Sequence, residues 1–535
     1  MNNADNPAMS LNSGMSSIMK DLEMPPIPEK EVPTTPFDSI ECFINDKTPA
    51  DLKDFPFSLG EVFYNFKTVR KLPKRYFRQM EEIRRSTAEF REKYIRPVAH
   101  EIEKKVSEDP NYFPHDIIKK GSPYKFTTLV VPRQFGGPGY MSVHAAIMAE
   151  ELAAGCGGFA TSLAVSSAGS SQILMALDPY LIAVYTKMSI DAEKAGDPIL
   201  WSGAVTEPNA GTDRWDMDFQ NKNKAGMVAK RVEGGYVLNG SKTFISNGSV
   251  AQYSCVTAAL DPADYKGTGC AFIVPTNSPG FSVGRVERKM GQKASATSEQ
   301  ICDNVFVPEK HRISTIGISA EGTMLYLAAS RGPVGAIGVG CGRRALESLV
   351  QWAAERKNGR GRLIDQQALQ MKISQFTRDL TVARNAYIQA GIAFDSMMHS
   401  LLGNPLISLT LWLTPKWVLR TEPFRRIVQS EYGRKFIFEK MRKIFSIFKR
   451  DEALYASGLA AIAKVVGSET GRKVAGEVMK IMGPDAADPR WGVDKAYRDA
   501  RLTEIYEGTN EACAITTFKA MAASFQETLK KNGGK

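Results

Sequence analysis

The residues best suited to chemistry lie near the C-terminus, in the segment YRDARLTEIYEGTNE (497–511). Its carboxylate Glu507 follows the apolar side chains of Ile505 and Tyr506. Burial beside such side chains raises the pKa of a carboxyl, which suits a general base that works near neutral pH. The next residue, Gly508, lets the turn approach a ligand closely. By itself, however, the sequence YEGT is more typical of a solvated turn, so a catalytic role needs support from the rest of the chain.

The cysteines and histidines do not suggest a metal site or a nucleophilic triad. The chain has seven Cys without a C-x-x-C pair, and five His without a pair at helical spacing. This spacing predicts no zinc site and no disulfide framework, and it favours a reducing compartment. The chemistry must therefore rest on carboxylates, hydroxyls or a bound cofactor.

The composition is that of a globular protein. The chain has 535 residues, 43% of them hydrophobic and 24% charged, which excludes a disordered, collagenous or coiled-coil chain. No apolar run approaches the ~18 residues of a membrane-spanning helix. The start MNNADNPAMSLNSG lacks the basic and apolar regions of a signal peptide. We therefore expect a bacterial cytoplasmic protein, with a mitochondrial matrix protein as the alternative.

The hydrophobic pattern changes twice along the chain. Helical periodicity is followed from about residue 201 by short alternating runs such as YVLNG and CAFIVPT, and helical periodicity returns after about 320. Because strands do not alternate with helices, a parallel nucleotide-binding sheet is not expected. The pattern predicts a mostly helical α+β protein with a helical N-terminal domain, a middle antiparallel β-domain and a C-terminal helical bundle. The predicted boundaries are 1–79 for a leader, 80–200, 201–315 and 316–520 for the domains, and 521–535 for a tail.

The glycine-rich run GAIGVGCG (335–342) resembles a dinucleotide-binding fingerprint only superficially. Arg343 stands where the last glycine of G-x-G-x-x-G belongs, and the run lies inside a helical pattern rather than after a strand. We therefore predict that these glycines allow two helices to pack closely.

Four segments together resemble the acyl-CoA dehydrogenase family: VTEPNAGTD (205–213), LNGSKTFISNG (238–248), PGFSVGRVERKMGQKASATSEQICDNVFVPEK (279–310) and the segment 497–511. The resemblance covers about residues 80–520. It implies a four-helix C-terminal bundle, an FAD cofactor and α,β-dehydrogenation of an acyl-CoA thioester. It also implies that Glu507 is the α-proton base and that flavin N5 is the hydride acceptor.

The resemblance also assigns binding residues. Val205, Thr206, Thr212, Phe244 and Ser246 match positions that contact the flavin, although Phe244 replaces a Trp and Ser246 replaces a Thr. The smaller Phe244 ring should alter the surroundings of the flavin.

Further assignments concern the bundle and the loops around it. Thr509 also matches a cofactor contact, and Gly508 and Arg331 match positions near the substrate. In some family members the base directly precedes this Arg, but Ser330 stands there and cannot be the base. A purely structural ion pair is the alternative role for Arg331.

Three residues match a site for the FAD of a neighbouring subunit: Arg356, Gln367 and Gly483. The loop around Gly483 departs from the family pattern, since it reads KIMGPDA (480–486) where the family has Gln-x-x-Gly-Gly-x-Gly. Of the three glycines in that pattern, this loop keeps only Gly483.

A basic insertion interrupts the bundle at 401–450. It holds eleven Lys and Arg against three Glu, and so carries +8 of the net charge of +11. Aromatic and aliphatic residues recur between the basic ones, as in an amphipathic element on an anionic membrane. We expect either a peripheral contact with the inner face of the membrane, or a helical hairpin packed on the bundle or on a second subunit. Nucleic acid is not expected as a partner.

The sequence thus predicts an acyl-CoA dehydrogenase that passes electrons to an electron-transferring flavoprotein and forms a homodimer or homotetramer. One alternative is a flavin oxidase or monooxygenase of the same fold. The other is a non-catalytic scaffold that uses the insertion as its binding surface.

Overall fold

The computed structural model describes residues 74–175, 178–211, 221–313, 319–402, 413–436 and 450–531. Nearly all of the predicted leader 1–79 therefore lies outside the described residues. Within the described segments, no helix combines the length and apolar character that are needed to cross a membrane.

The first part of the described chain is helical. After α1 the chain makes one π-helical turn, Arg91–Ile95, and the helix stops before Pro97, which has no N–H to donate. Almost every residue of the fourth helix is buried, so this helix forms the centre of the helical region. The helices are α1 (Lys74–Phe90), α2 (Ala99–Glu108), α3 (His115–Lys120), α4 (Ser142–Ala153), α5 (Gly157–Met175) and α6 (Pro179–Lys194).

A seven-stranded sheet follows, with the strand order β1-β4-β2-β3-β7-β6 and with β5 paired to β4. The pairs are antiparallel except that β1 runs parallel to β4, with one further parallel bridge between β2 and β4. The prediction of an antiparallel domain is thus confirmed except at these two parallel contacts. The sheet comprises β1 (Trp201–Ala204), β2 (Val228–Val232), β3 (Gly235–Ser246), β4 (Tyr253–Ala259), β5 (Gly269–Pro275), β6 (Phe281–Val286) and β7 (Thr297–Pro308), with a short helix α7 (Tyr265–Thr268) before β5.

Long helices return after the sheet and form the predicted bundle. Helix α11 packs against α8, α9 and α13. The elements of this part are α8 (Ser319–Glu355), β8 (Lys357–Asn358), β9 (Gly361–Arg362), α9 (Gln367–Leu402), α10 (Glu422–Val428), α11 (Arg450–Met482), α12 (Val493–Leu502) and α13 (Asn510–Lys531).

Glycines bring α8 and α11 into close contact, as the run 335–342 predicts. A Cβ added to Gly335 would lie 2.2 Å from the carbonyl oxygen of Ala463, and one added to Gly338 would lie 2.6 Å from that of Gly467. On the facing helix, a Cβ on Gly471 would lie 1.8 Å from the carbonyl oxygen of Gly338. Only glycine permits this backbone contact, so the run is a packing feature inside a helix.

A buried ionic cluster joins the N-terminal helices to the bundle. Arg343 of α8 donates to Glu150 at 3.1 Å and to Glu151 at 3.0 Å, and Glu150 also accepts from Arg384 of α9 at 2.9 Å and from the Tyr387 hydroxyl at 2.6 Å. These five side chains are almost completely buried. Their guanidinium partners hold the pKa of Glu150 near 2 despite its burial. Removing one arginine would leave the buried carboxylates incompletely compensated, which costs up to about 3–5 kcal/mol.

The described part of the insertion, 413–436, packs on the same chain. The buried Arg434 donates to the carbonyl oxygens of Arg312 at 3.2 Å and Glu309 at 3.3 Å, and Gln429 donates to Asp178 at 3.0 Å. These contacts support the packing alternative, although the surface is α6 and the end of the sheet rather than the bundle. They give no support to a membrane contact, which stays a prediction.

Candidate active site

A cavity of about 700 Å³ lies between the N-terminal helices, the sheet and the bundle. Seven of the predicted site residues line it together: Val205, Thr206, Phe244, Ser246, Glu507, Gly508 and Thr509. Small and apolar residues from α5, among them Ala164, Val165 and Ala168, line another part of the wall. The cavity therefore offers an apolar space bounded by a few polar groups, as small-molecule sites do.

Glu507 enters this cavity from the loop between α12 and α13. Its backbone has a φ of 57°, and that of Gly508 is 84°, so two successive residues are left-handed. This conformation is unfavourable for a glutamate and persists only where its surroundings enforce it.

Hydrogen bonds from the bundle fix this loop. Arg331 Nε donates to the Glu507 carbonyl at 3.2 Å, and the buried Lys464 Nζ donates to the Gly508 carbonyl at 2.8 Å. Lys464 also donates to the Asn510 side chain at 2.7 Å. On the other side, Gln292 donates to the Tyr506 hydroxyl at 3.3 Å. Hydrogen bonds thus hold the residues on both sides of Glu507, at the Tyr506 side chain and at the Gly508 carbonyl, and so fix the course of the backbone through Glu507.

Two hydroxyls of α8 contact the Glu507 carboxylate itself. Tyr326 Oη lies 3.3 Å from Oε1, and Ser330 Oγ lies 3.0 Å from Oε2. Burial raises the pKa of Glu507, and the Ser330 hydroxyl, the Arg331 charge and the Tyr326 hydroxyl oppose that rise. A carboxylate in such surroundings can accept a proton from a ligand in the cavity.

The sheet contributes the facing wall. Lys242 of β3 forms a buried ion pair with Glu207 at 2.9 Å and also donates to the Val205 carbonyl at 2.9 Å. The Thr243 N–H donates to the Thr206 carbonyl at 2.9 Å. These bonds anchor the segment that carries Val205 and Thr206 to the strand that carries Phe244 and Ser246.

Phe244 has two unusual properties. Its side chain is 60% exposed and its φ is 58°, at an irregularity in the pairing of β3 with β7. An exposed aromatic ring in a strained backbone conformation suggests a binding role rather than a core role. A flat ring such as isoalloxazine could cover it, so the residues present fit a flavin.

The other predicted residues lie away from the cavity or outside the described residues. Thr212 falls in the latter group. Arg356 pairs with Asp485 at 2.7 Å, and the same carboxylate oxygen accepts from Trp352 Nε1 at 2.8 Å. Gln367 begins α9 and Gly483 follows α11 with a φ of 59°. A site for the FAD of a second subunit at these residues stays a prediction.

Tyr326 and Lys464 are site residues that were not predicted from the sequence. A signal for Tyr326 was available, because it lies four residues before Ser330 and so shares its helix face. No comparable signal marks Lys464, because its contact depends on how α11 packs against the loop.

Family models match the helical regions and the sheet in order. The acyl-CoA dehydrogenase N-terminal domain matches residues 78–178, the middle domain 202–305, and the C-terminal domain 321–420 together with 442–521. The matches cover more than half of the chain. The chain belongs to the acyl-CoA dehydrogenase family. The family consists of flavoprotein oxidoreductases that generally bind FAD, and this chain is an oxidoreductase of that kind. Residues 421–441, which the C-terminal model leaves out, lie within the predicted insertion.

Individual relatives agree with this assignment. An acyl-CoA dehydrogenase of Bacillus subtilis (strain 168) is 28% identical over 430 residues, which are 80% of this chain and 94% of the relative. The solved butyryl-CoA dehydrogenase of Megasphaera elsdenii is 24% identical, with a TM-score of 0.64 over 83% of this chain and 98% of its own. A chain from the structure of the electron transferring flavoprotein of Acidaminococcus fermentans is also 24% identical, with a TM-score of 0.65 over 83% and 97%. At this identity the two structures show the shared fold alone.

Proposed function

We propose that this protein is an FAD-dependent dehydrogenase that converts an acyl-CoA thioester to its α,β-unsaturated form, with Glu507 as the base that takes the α-proton. The observation that carries the proposal is the position of the Glu507 carboxylate. It lines the apolar cavity, accepts two hydroxyl hydrogen bonds, and shares the cavity with Val205, Thr206, Phe244 and Ser246.

FAD, when bound, supplies the acceptor for the β-hydride that no side chain can provide. The residues that would hold it are Val205, Thr206, Phe244 and Ser246, together with Thr509 next to the base. The exposed ring of Phe244 supports this assignment, since a flat ligand would cover it. Thr212 completes the proposed set.

The remaining residues prepare the proton transfer. An α-proton becomes acidic enough to remove only when the thioester carbonyl is polarised, and backbone N–H groups near Glu507 and Gly508 are suited to that task. Arg331 acts through the Glu507 carbonyl, where it holds the loop in place. The proton goes to the Glu507 carboxylate, whose pKa is raised by burial.

The proposed partners follow the family. An electron-transferring flavoprotein would reoxidise the cofactor, and the protein would form a homodimer or homotetramer. Exposed apolar side chains on bundle helices, such as Val382, Ile515 and Phe518, support a second copy as a neighbour. The proposed location is the cytoplasm of a bacterium. The predicted membrane contact through 401–450 is tested by sedimentation with liposomes. Pelleting of the protein that depends on lipid would support the contact, and its absence would exclude it.

The test compares Glu507→Gln with Glu511→Gln. Both variants remove one carboxylate from the same segment, but Glu511 does not line the cavity. Each purified protein is mixed anaerobically with butyryl-CoA, octanoyl-CoA or palmitoyl-CoA, and flavin absorbance is followed. We expect both variants to retain FAD, and only Glu507→Gln to lose acyl-CoA-dependent bleaching. Normal bleaching by Glu507→Gln would refute its role as the base.

The same preparation separates the alternatives. Peroxide formation without another electron acceptor would indicate an oxidase or monooxygenase. A wild-type protein that binds no FAD and no acyl-CoA would indicate a scaffold.

A further inference from the structure

Helix α8 presents two hydroxyls to the two oxygens of one carboxylate. Tyr326 and Ser330 are four residues apart and therefore lie on the same face of the helix, one above the other. Tyr326 contacts Oε1 of Glu507 at 3.3 Å, and Ser330 contacts Oε2 at 3.0 Å. An ionised carboxylate only accepts hydrogen bonds, so both hydroxyls must act as donors.

We propose that Tyr326 and Ser330 are positioning residues that together keep the Glu507 carboxylate ionised and fixed in orientation for proton removal. This inference rests on the proposed role of Glu507 as the base. It assigns to α8 a task distinct from that of Arg331, the third α8 residue at this loop.

The loop contacts explain why such a pair is needed. Arg331 and Lys464 hold the loop through the carbonyl oxygens of Glu507 and Gly508. These bonds fix the backbone but leave the side-chain torsions of Glu507 free to rotate. One hydroxyl on each carboxylate oxygen removes that freedom, and reactions that depend on a well-oriented base lose rate when the base is displaced.

The ionisable groups around Glu507 come from several elements. Its cationic neighbours, Arg331 of α8 and Lys464 of α11, both favour the carboxylate form. The neutral neighbours are Tyr326 of α8, Tyr506 of the loop and Cys513 of α13, and burial raises the pKa of each. These three groups therefore stay protonated around neutral pH. Two other groups titrate between about pH 5 and pH 9, because burial lowers the pKa of Lys464 to about 8 and raises that of Asp395, which also lines the cavity, to about 6. An acidic step is therefore assigned to Glu507 only where Asp395→Asn leaves it in place.

The predicted effect has a definite sign. A hydroxyl that donates to the ionised carboxylate lowers its pKa, so removing the hydroxyl raises it. The acidic midpoint is the pH at which the rate of α-hydrogen exchange falls to half its maximum on the acidic side. Tyr326→Phe and Ser330→Ala should each raise this midpoint by about one pH unit. Ser330→Thr keeps a hydroxyl and should keep the wild-type midpoint. At pH values above the new midpoint, Tyr326→Phe should retain its rate to within roughly tenfold, because the base itself is still present.

The experiment measures exchange of α-hydrogens of butyryl-CoA, octanoyl-CoA and palmitoyl-CoA in D₂O by mass spectrometry, across a pH series and with the FAD-loaded protein. Tyr387→Phe is the matched control, since it also removes a hydroxyl donor from a buried carboxylate, Glu150, but lies outside the cavity lining. It should leave the midpoint unchanged. Thermal melts of all variants separate loss of fold from loss of function.

The outcomes distinguish the two proposals. Exchange that persists in Glu507→Gln overturns the proposed base. Exchange that requires Glu507 but keeps the wild-type midpoint in Tyr326→Phe and in Ser330→Ala overturns the positioning role alone. A midpoint that rises equally in Tyr387→Phe also overturns it, because the shift would then reflect general destabilisation.

Discussion

Replacing Gly338 by alanine tests the close packing of α8 on α11. In an isolated helix this change is favourable by about 1 kcal/mol, because alanine has the higher helix propensity. In this protein the added Cβ would lie 2.6 Å from the Gly467 carbonyl oxygen and 2.7 Å from Ser468 Cα. Both are backbone atoms of α11, so no side-chain rotation can relieve the contact. The structure therefore predicts destabilisation where helix propensity predicts a gain.

The size of the effect follows from these distances. Restoring ordinary contacts requires the two helices to separate by several tenths of an ångström, and overpacking of this kind costs typically about 1–3 kcal/mol. The cost should be near or above the upper end, because backbone rather than a flexible side chain is contacted. After subtraction of the propensity gain we expect a net loss of about 2 kcal/mol.

Gly332→Ala is the matched control in the same helix. Outside its chain neighbours, its Cβ would have the Tyr387 carbonyl oxygen as nearest neighbour at 3.9 Å, an ordinary contact. The following Pro333 crowds a Cβ in helical backbone, which offsets the propensity gain of roughly 0.5–1 kcal/mol, so we expect a stability close to that of the wild type. Guanidinium unfolding followed by circular dichroism, at one fixed FAD concentration, gives the two midpoints under identical conditions. A Gly338→Ala protein as stable as Gly332→Ala would refute the described contact between the helices.

Two further predictions concern single carboxylates. Burial raises the pKa of Asp395 from 3.8 to about 6, so the stability it contributes is fully present below pH 3.8 and is lost as the pH rises through 6. A shift of about two units corresponds to about 3 kcal/mol. Asp395→Asn should reduce the change of melting temperature between pH 4 and pH 7, whereas an unchanged pH dependence would contradict the raised pKa. The second change, Asp485→Asn, should break the ion pair between Asp485 and Arg356. Because the side chains of this pair are 56% and 36% exposed, the pair contributes at most about 1 kcal/mol. If Arg356 binds a neighbouring FAD, the dissociation constant measured by flavin fluorescence should fall by up to about fivefold, and an unchanged value would remove Arg356 from the cofactor site.

Much of the architecture follows from the sequence because it depends on local patterns. The change from helical to alternating periodicity near residue 201 marks β1, and the glycines of 335–342 indicate a helix contact. The predicted domain boundaries remain predictions at the level of single residues. The parallel pairing of β1 with β4 was not predicted, because a sequence pattern indicates strands but not which strands are neighbours.

The candidate site divides in the same way. Short sequence motifs identified Val205, Thr206, Phe244, Ser246 and the loop at Glu507 as site residues, and all of them line one cavity. The contacts of Tyr326 and Lys464 were not predicted, because each depends on the docking of a distant helix. For the same reason, the pairing of Arg434 with backbone carbonyls about 120 residues earlier could not be inferred from a basic, amphipathic pattern.

The buried ionic cluster has a consequence for how the chain can be divided. Glu150 and Glu151 emerge early in synthesis, yet Arg343 follows them by more than 190 residues and Arg384 follows Glu150 by 234. Until those guanidinium groups arrive, Glu151 has only the earlier Arg91 as a described partner, and Glu150 lacks both of its described arginine partners. Glu150 must therefore stay hydrated, so the N-terminal helices cannot complete their interior during translation. A fragment that ends after the sheet should therefore remain incompletely folded. Co-expression with the missing helices, as a split protein, offers a route to restore it.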